Sequence, residues 1–153
     1  MRIMLVDDEK SSRLPLVSTL REQYLSVQID EYDDGTPAWE AIQQDNGFDL
    51  VIADMSMITM DGLELAERIH GKYPDMQILF QTGESERTLR QMGVQVERCL
   101  LKPVFGPELK ETIDNLSALP PFEIKPEQVQ TEEYTIQTSK KAGGFFSRLL
   151  QRC

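Results

Sequence analysis

Short apolar runs that lead into a polar residue recur along this chain, and they are its most constraining feature. Residues 3–6 lead into Asp7 and Asp8, residues 50–53 into Asp54, residues 78–81 into Thr82, and residues 99–101 into Lys102. Helix-like segments separate these runs, and strands that alternate with helices form a parallel sheet whose carboxyl ends share one edge. Open α/β sheets place their ligand sites at that edge. The sequence therefore predicts that three acids, a hydroxyl and a lysine meet there.

The whole pattern is typical of five strand–helix units, which predicts an α/β fold with a doubly wound, five-stranded parallel sheet. The first, third and fourth runs are nearly continuous in apolar residues, as expected when helices cover both faces of a parallel strand. The second run alternates more and ends in acids, so we expect it at the edge of the sheet. The predicted strands are 2–6, 27–32, 50–54, 77–82 and 98–102, and the predicted helices are 12–24, 37–44, 63–72, 84–92 and 106–119.

Two details of the predicted helices concern proline. Thr36 followed by Pro37 is typical of an N-cap with proline at the first helical position. Pro15 is tolerable only in the first turn of its helix, where no hydrogen-bonding N–H is lost. Gly71 and Pro74 are expected to close the third helix.

Five motifs stand in order along these units: the opening I-M-L-V-D-D-E, the central D-L-V-I-A-D-M-S-M, the M-D-G-L-E-L that follows it, Q-T-G after the fourth strand, and L-L-K-P after the fifth. In this order and spacing they resemble the response regulator receiver family, the phospho-accepting half of two-component signalling. The resemblance covers residues 1–119 and implies a flavodoxin-like strand order, 2-1-3-4-5. A C-terminal tail follows.

The three acids predict a metal site. Carboxylates crowded at one site repel one another, and a hard divalent cation with oxygen ligands relieves the repulsion. Mg²⁺ is the natural choice, and Mn²⁺ could substitute for it. We expect Asp8 and Asp54 as direct ligands and Asp7 as a ligand through water, and the resemblance adds the backbone carbonyl of Met55. With the metal bound, Asp54 can act as the nucleophile toward a phosphoryl group.

Lys102 and Thr82 complete the expected chemistry. Lys102 would hold a phosphate oxygen and offset its charge, and the resemblance implies a cis bond between Lys102 and Pro103. Thr82 is the expected switch: once Asp54 is phosphorylated, its hydroxyl would donate to a phosphate oxygen and turn a covalent charge into a surface change. Gly83 is expected to leave access to the acceptor.

The resemblance also assigns residues that tune the response. Ser56 and Glu84 would line the path of the attacking water and set the lifetime of the phosphoryl group. Cys99 stands at the second switch position, where receivers usually carry an aromatic residue, so we expect the output to depend on the loop after the fourth strand or the coupling to be weak. Ile58 replaces a common proline, which predicts a less rigid loop after Asp54. The short segment 84–98 predicts a trimmed fourth helix.

Length and charge bound the remaining possibilities. A chain of 153 residues fits one domain with a substantial core. The net charge of −10 argues against direct DNA binding, which depends on clustered basic residues. There is no apolar run long enough to span a membrane and no signal-like start, so we expect a cytoplasmic protein. Cys99 and Cys153 make a poor disulfide pair, and we interpret them as one buried and one exposed thiol.

The composition changes after residue 119. Residues 120–139 form a predicted polar linker, and residues 140–153 form a basic amphipathic tail. Phe145, Phe146, Leu149 and Leu150 fall at helical i, i+3, i+4 spacing, away from the arginines. Such a segment can dock in a groove of a partner, fold back on the acidic surface of this domain, or make weak contact with an anionic membrane.

These observations predict a single-domain response regulator, a signalling switch with self-catalysed phosphoryl transfer rather than an enzyme. Its expected partners are a histidine kinase or histidine phosphotransfer protein and a downstream protein effector, and the resemblance is compatible with a dimer. Two alternatives stay open. One is a constitutive receiver-type binding module that works through its tail. The other is an aspartate-nucleophile phosphohydrolase of the haloacid dehalogenase type, although that class places its nucleophile after the first strand.

Overall fold

Five parallel strands form one sheet in the order β2-β1-β3-β4-β5, which confirms the predicted fold class and places the second strand at the edge. The strands are β1 (Arg2–Val6), β2 (Gln28–Tyr32), β3 (Leu50–Asp54), β4 (Gln77–Thr82) and β5 (Cys99–Leu101). This computed structural model describes residues 1–125. Cys153 and the predicted tail residues Phe145, Phe146, Leu149 and Leu150 lie outside the described residues. Within residues 1–125, no helix is long and apolar enough to cross a bilayer.

Five helices follow the strands and cover both faces of the sheet. They are α1 (Lys10–Gln23), α2 (Gly35–Gln44), α3 (Gly62–Lys72), α4 (Glu86–Gln91) and α5 (Gly106–Asn115), with short 3-10 turns at Val96–Arg98 and Leu116–Ala118. Alternate residues of a strand point to opposite faces. In β1, Met4 and Val6 pack in the core under α2 and α3, whereas Ile3 and Leu5 pack in the core under α1 and α5. Both faces of β1 are therefore covered, which explains its continuous apolar run.

Two predictions about how helices begin differ from the structure. Helix α1 begins at Lys10, so Pro15 lies in its second turn and not in the first. Pro15 and Ser11 are both exposed, so the Ser11 carbonyl that Pro15 cannot bond remains open to water. The N-cap of α2 is Asp34, whose carboxylate accepts from the Thr36 amide, and not Thr36 itself. Helix α3 ends at Lys72, between Gly71 and Pro74, as predicted.

Helix α4 is trimmed, as the sequence predicted, and with six residues it is shorter than the predicted range 84–92. It ends in a Schellman motif: the amide of Gly93 bonds the Arg90 carbonyl, and the amide of Val94 bonds the Leu89 carbonyl, both at 3.0 Å. Gly93 adopts a positive φ of 76°, which costs glycine little. The side chains of Leu89 and Val94 pack together in the core beneath. The chain then turns toward β5 instead of continuing a longer helix.

Residues 120–125, here called the strap, pack against the domain although the sequence assigned them to the linker. Phe122 is only 5% exposed. Its ring lies 5.7 Å from that of Phe80 in β4 and 6.0 Å from that of His70 in α3, centroid to centroid. The amide of Lys125 donates to the Gly93 carbonyl at 2.8 Å. Burial of an aromatic ring contributes ~1.5–3 kcal/mol, so the strap belongs to the folded unit.

Arg98 fastens the strap to the sheet. It is almost fully buried, and its guanidinium donates to the carbonyls of Ile78 (3.2 Å) and Pro120 (2.7 Å) and to the side-chain oxygens of Gln77 (3.2 Å) and Gln95 (3.0 Å). Burial lowers the pKa of Arg98 from its ordinary value. All four acceptors are neutral, so the guanidinium charge is stabilised by carbonyl dipoles and not by a carboxylate. Removal of any one acceptor would leave a buried N–H donor of Arg98 without a partner.

We predict that Phe122→Ala lowers the free energy of unfolding by ~3–5 kcal/mol, because it opens a cavity between β4 and α3. Urea denaturation of the full chain measures the change. Phe105→Ala is the matched control, since Phe105 is 62% exposed, and it should change stability by less than ~0.5 kcal/mol. Equal effects of the two substitutions would show that the strap does not stabilise the domain.

Candidate functional site

Three acids meet at the carboxyl edge of the sheet, as the sequence predicted. Asp7 and Asp8 follow β1, and Asp54 is the last residue of the adjacent strand β3. Carboxylate oxygens of the three residues lie within 4.8 Å of one another. Asp7 is fully buried and Asp54 nearly so, whereas Asp8 is exposed. The cluster therefore opens to solvent on the side of Asp8.

Lys102 supplies the cation that contacts this cluster. Its backbone amide donates to the Thr82 carbonyl at 2.8 Å, which aligns the residue with the end of β4. Its ammonium lies 2.8 Å from Asp54 Oδ2 and 3.1 Å from Asp7 Oδ2. Burial lowers the pKa of Lys102, but hydrogen bonds from its ammonium to Asp54 and Asp7 outweigh that effect and raise the pKa above its ordinary value. Lys102 is therefore protonated at neutral pH. The peptide bond between Lys102 and Pro103 is cis.

Gln81 is a site residue that sequence reasoning missed. Its side-chain amide donates to Asp7 Oδ2 at 2.8 Å in a buried position. The amide of Glu9 donates to Asp7 Oδ1 at 2.8 Å, so both oxygens of this carboxylate are held. Burial raises the pKa of Asp7, and the hydrogen bonds from Glu9 and Lys102 partly oppose that rise. A polar residue inside an otherwise apolar central strand was the signal in the sequence.

Asp34 is a second missed residue, and it fixes the loop after Asp54. Its carboxylate accepts from the amides of Thr36 at the start of α2 (3.2 Å), Thr59 (3.0 Å) and Met60 (3.1 Å), and from the Thr59 hydroxyl. Burial raises the pKa of Asp34, but these hydrogen bonds prevail and lower it to about 2. Asp34 thus holds the loop that carries Ile58. Its hydrogen bonds restrain the loop at a place where a proline would otherwise do so.

The loop between Asp54 and Gly62 is closely packed where it leaves β3 and where it enters α3. The amide of Ser56 donates to Asp54 Oδ1 at 3.1 Å. The carbonyl of Met55 accepts from the Gly62 amide at 3.2 Å, so one lone pair of this predicted metal ligand is already engaged. A Cβ at Gly62 would lie 2.3 Å from the Asp54 carbonyl. Glycine is therefore required where α3 begins beside the acceptor.

The two predicted switch positions lie in different surroundings. Thr82 is buried, and its hydroxyl oxygen accepts from the Glu84 amide at 3.0 Å; among residues 1–125 it makes no hydrogen bond with the acids. Cys99 opens β5 at the opposite end from Lys102, where its thiol contacts the Gln95 carbonyl. The thiol is half-buried, and burial raises its pKa to about 12. Cys99 is thus not part of the acid cluster.

The donor set at the edge fits a hard cation. Three close carboxylates carry more negative charge than the single ammonium of Lys102 offsets, and oxygen donors of this kind are those that Mg²⁺ binds. Ser56 and Glu84 are exposed. The backbone amide of Ser56 donates to the Asp54 carboxylate, and that of Glu84 donates to the Thr82 hydroxyl, so both residues lie next to the cluster. A hypothetical Cβ at Gly83 meets nothing within 4 Å, so the approach to the site beside Thr82 is open.

A parallel sheet in this order, with clustered acids and a lysine at its carboxyl edge, defines a receiver-type domain. Residues 3–114 match the sequence model of the response regulator receiver domain. The chain belongs to the response regulator receiver family.

Individual relatives agree with this assignment. The chain is 37% identical over 82 residues to the response regulator receiver protein CpdR of Brucella abortus (strain 2308), which covers 54% of this chain and 66% of CpdR. It is 29% identical over 116 residues to the sensor protein EvgS of Escherichia coli (strain K12), covering 74% of this chain and 9% of EvgS. It thus spans less than two thirds of the length of both relatives. The structure of chemotaxis protein CheY4 of Vibrio cholerae matches with a TM-score of 0.63 and 28% identity, over 75% of this chain and 97% of CheY4.

We predict that Asp34→Ala lowers the free energy of unfolding by ~1–3 kcal/mol at neutral pH, because it removes a helix cap and leaves loop amides unpaired. Asp33→Ala, at the exposed neighbour, is the matched control. The folded pKa of Asp34 is about 2 and the ordinary value is 3.8. The contribution of the carboxylate is therefore present above the ordinary value and is lost as pH falls toward the folded value. Urea unfolding across this range should show the gap between wild type and Asp34→Ala closing, and a constant gap would contradict the role of the charge.

We also predict energetic coupling between Gln81 and Asp7. Gln81→Leu removes one donor from a buried carboxylate, and we expect a loss of ~1–3 kcal/mol in metal-free buffer. In an Asp7→Ala background the same substitution has no carboxylate to deprive, so its cost should fall by about 1 kcal/mol or more. A double-mutant cycle by urea denaturation measures this difference. Additive costs would mean that Gln81 contributes through packing alone.

Proposed function

We propose that this chain is a response regulator whose receiver domain accepts a phosphoryl group on Asp54. The observation that carries the proposal is the position of the Asp54 carboxylate, at the end of β3, with the Lys102 ammonium at 2.8 Å and two further acids beside it. The family is one of signalling switches, so we propose a switch with self-catalysed phosphoryl transfer and slow dephosphorylation rather than an enzyme.

Mg²⁺ is the proposed cofactor, with Mn²⁺ as a substitute. Asp8 and Asp54 would hold it directly and Asp7 through water, because Asp7 is buried and both its oxygens already accept hydrogen bonds. The carbonyl of Met55 would have to share its oxygen with the Gly62 amide. When bound, the cation neutralises charge on the acids and on the incoming phosphoryl oxygens.

The proposed transfer is a single displacement at phosphorus. A carboxylate oxygen of Asp54 forms a bond to phosphorus as the bond from phosphorus to a donor imidazole nitrogen breaks, and the electron pair stays on that nitrogen. Lys102 stabilises charge on a phosphoryl oxygen. The amide of Ser56 already donates to Asp54 Oδ1 and so orients the carboxylate. The product is an aspartyl phosphate, which water hydrolyses back to the carboxylate and phosphate.

Thr82 is the proposed switch residue. Its hydroxyl oxygen now accepts from the Glu84 amide, and its hydroxyl hydrogen is available to a phosphoryl group on Asp54. A shift of Thr82 toward that group would displace the loop that leads into α4. The exposed side chains of Ser56 and Glu84 are proposed to set the lifetime of the phosphoryl group by controlling water access.

The proposed phosphodonor is a histidine kinase or a histidine phosphotransfer protein. A cavity of about 420 Å³ lies beside Lys102, between the first turns of α1 and the loop before α5. Two exposed apolar residues adjoin it in sequence, Leu14 (56% exposed) and Phe105 (62%). An apolar surface next to the acceptor suits a docking protein that presents its phosphohistidine. The net charge of −10 speaks against DNA as the direct target, so the proposed output is a protein effector. A dimer and a cytoplasmic location remain predictions.

We predict that wild type gains one phosphoryl group when incubated with acetyl phosphate and Mg²⁺, and that Asp54→Asn gains none. Intact-mass spectrometry measures the gain. Asp33→Asn is the matched control, because Asp33 is an exposed acid outside the cluster, and it should behave like wild type. Mn²⁺ should support the reaction and excess EDTA should abolish it. Equal labelling of Asp54→Asn would overturn the assignment of the acceptor, and no labelling of any variant would favour the constitutive binding module.

A further inference from the structure

A groove lies between α4, the 3-10 turn Val96–Arg98, β5 and α5, away from the acid cluster. It has a volume of about 230 Å³. Its floor is apolar, and Leu101 in it is 46% exposed. Carboxylates stand around this floor. The acidic groove is defined by the floor residues Leu89, Cys99 and Leu101 and the rim residues Glu86, Glu97 and Glu108.

Cys99 is a small side chain in the floor of the groove, and open space lies beside it. The family pattern has an aromatic residue at this position, and a thiol occupies far less volume than an aromatic ring. Cys99 remains half-buried, with its thiol protonated because burial raises its pKa to about 12. The neutral thiol therefore gives the space beside it an apolar wall. An aromatic side chain from elsewhere fits this space better than a polar one does.

The rim carries negative charge that the described part of the chain does not neutralise. Glu97 and Glu108 are exposed and make no ion pair or hydrogen bond within residues 1–125. Glu86 differs, because it bonds Arg90 one turn along α4. Two carboxylates beside an exposed apolar floor suit an occupant that is both basic and apolar.

Residues 140–153 of this chain have that composition. They contain two phenylalanines, two leucines and four cations, and no acid: Phe145, Phe146, Leu149, Leu150, Lys140, Lys141, Arg148 and Arg152. Residues 1–139 together carry a net charge of −14, because the whole chain carries −10 and this segment carries +4. Charge and apolar surface in this segment therefore complement the acidic groove.

The strap ends near the edge of this groove. Its last residue, Lys125, bonds Gly93. Gly93 lies between α4 and the turn Val96–Arg98, and both of these elements line the groove. Fourteen residues, 126–139, separate Lys125 from Lys140. A flexible segment of that length spans ~20 Å on average, comparable with the radius of the domain. A linker of this length places the groove within reach of the tail, at an effective concentration on the order of millimolar.

We propose that residues 140–153 dock in the acidic groove of their own chain, with a phenylalanine in the space beside Cys99 and the basic side chains opposite Glu97 and Glu108. The tail then covers this face and competes with any other protein that binds there. The docking involves the unphosphorylated domain and does not depend on the phosphoryl chemistry at Asp54.

The test uses the full chain with a nitroxide spin label on Cys153. Cys99 is half-buried with a raised pKa, so the terminal thiol reacts first. The NMR signals of the Glu97, Leu101 and Glu108 amides should be much weaker when the label is oxidised than when it is reduced. The amide signals of α2 should not change. Signal loss spread evenly over the surface, or concentrated on another face, would overturn the proposal.

Two variants separate specific docking from general attraction. Glu97→Lys with Glu108→Lys should abolish the signal loss in the groove. Glu40→Lys with Glu67→Lys, at two exposed acids of α2 and α3 and with the same total change of charge, should preserve it. Phe145→Ser with Phe146→Ser should also abolish it, and persistence would overturn the role of the aromatic residues.

A mixture distinguishes the own tail from a second copy. Isotope-labelled protein without nitroxide is mixed with unlabelled protein that carries it. Signal loss in this mixture would mean that the tail binds another molecule, and its absence supports docking within one chain. No signal loss in the groove, together with binding of the full chain to vesicles of phosphatidylserine and phosphatidylcholine at low salt, would assign the tail to a membrane and overturn the proposal.

Discussion

The ammonium of Lys102, shared between Asp54 and Asp7, is the interaction on which the site depends. It links the ends of β5, β3 and β1, and it partly neutralises three carboxylates that would otherwise repel one another. Because Lys102 is more accessible than the two acids, its charge reaches the surface while theirs stay inside. Asp54, the proposed acceptor, is thus buried and oriented by its neighbours, while the lysine beside it is partly exposed to solvent.

Neighbouring polar residues make that arrangement rigid. Gln81 holds Asp7 from the β4 side, and Asp34 holds the loop that follows Asp54 from the start of α2. In each case a buried or half-buried carboxylate accepts several hydrogen bonds, so its position is fixed by directional contacts and not by packing alone. The glycine at position 62 allows α3 to begin directly beside the acceptor. The site is therefore organised before any ligand binds, which favours reactions that depend on positioning.

The sequence predicted the residues that stand at strand ends, but it did not predict individual hydrogen bonds between residues far apart in the chain. A polar residue after an apolar strand is a local pattern, and parallel topology alone brings Asp54 and Lys102 together. The contacts of Asp34 with Thr59 and Met60 span 25 and 26 positions, and the contact of Gln81 with Asp7 spans 74. No periodicity encodes such pairs. The strap was missed for the same reason: an isolated apolar side chain among prolines and charges has the composition of a linker, and its burial depends on a gap between β4 and α3.

Contacts with its surroundings stabilise helix α4. Helix α4 has six residues, too few to be stable in isolation. It is held by the Schellman motif at Gly93, by the packing of Leu89 and by the bond from Lys125 in the strap. A change in the loop after Thr82 therefore acts on an element whose stability comes mostly from its neighbours, one of which is the start of the C-terminal segment. The hydrogen bond from Lys125 to Gly93 therefore joins the C-terminal end of α4 to the last residue of the strap.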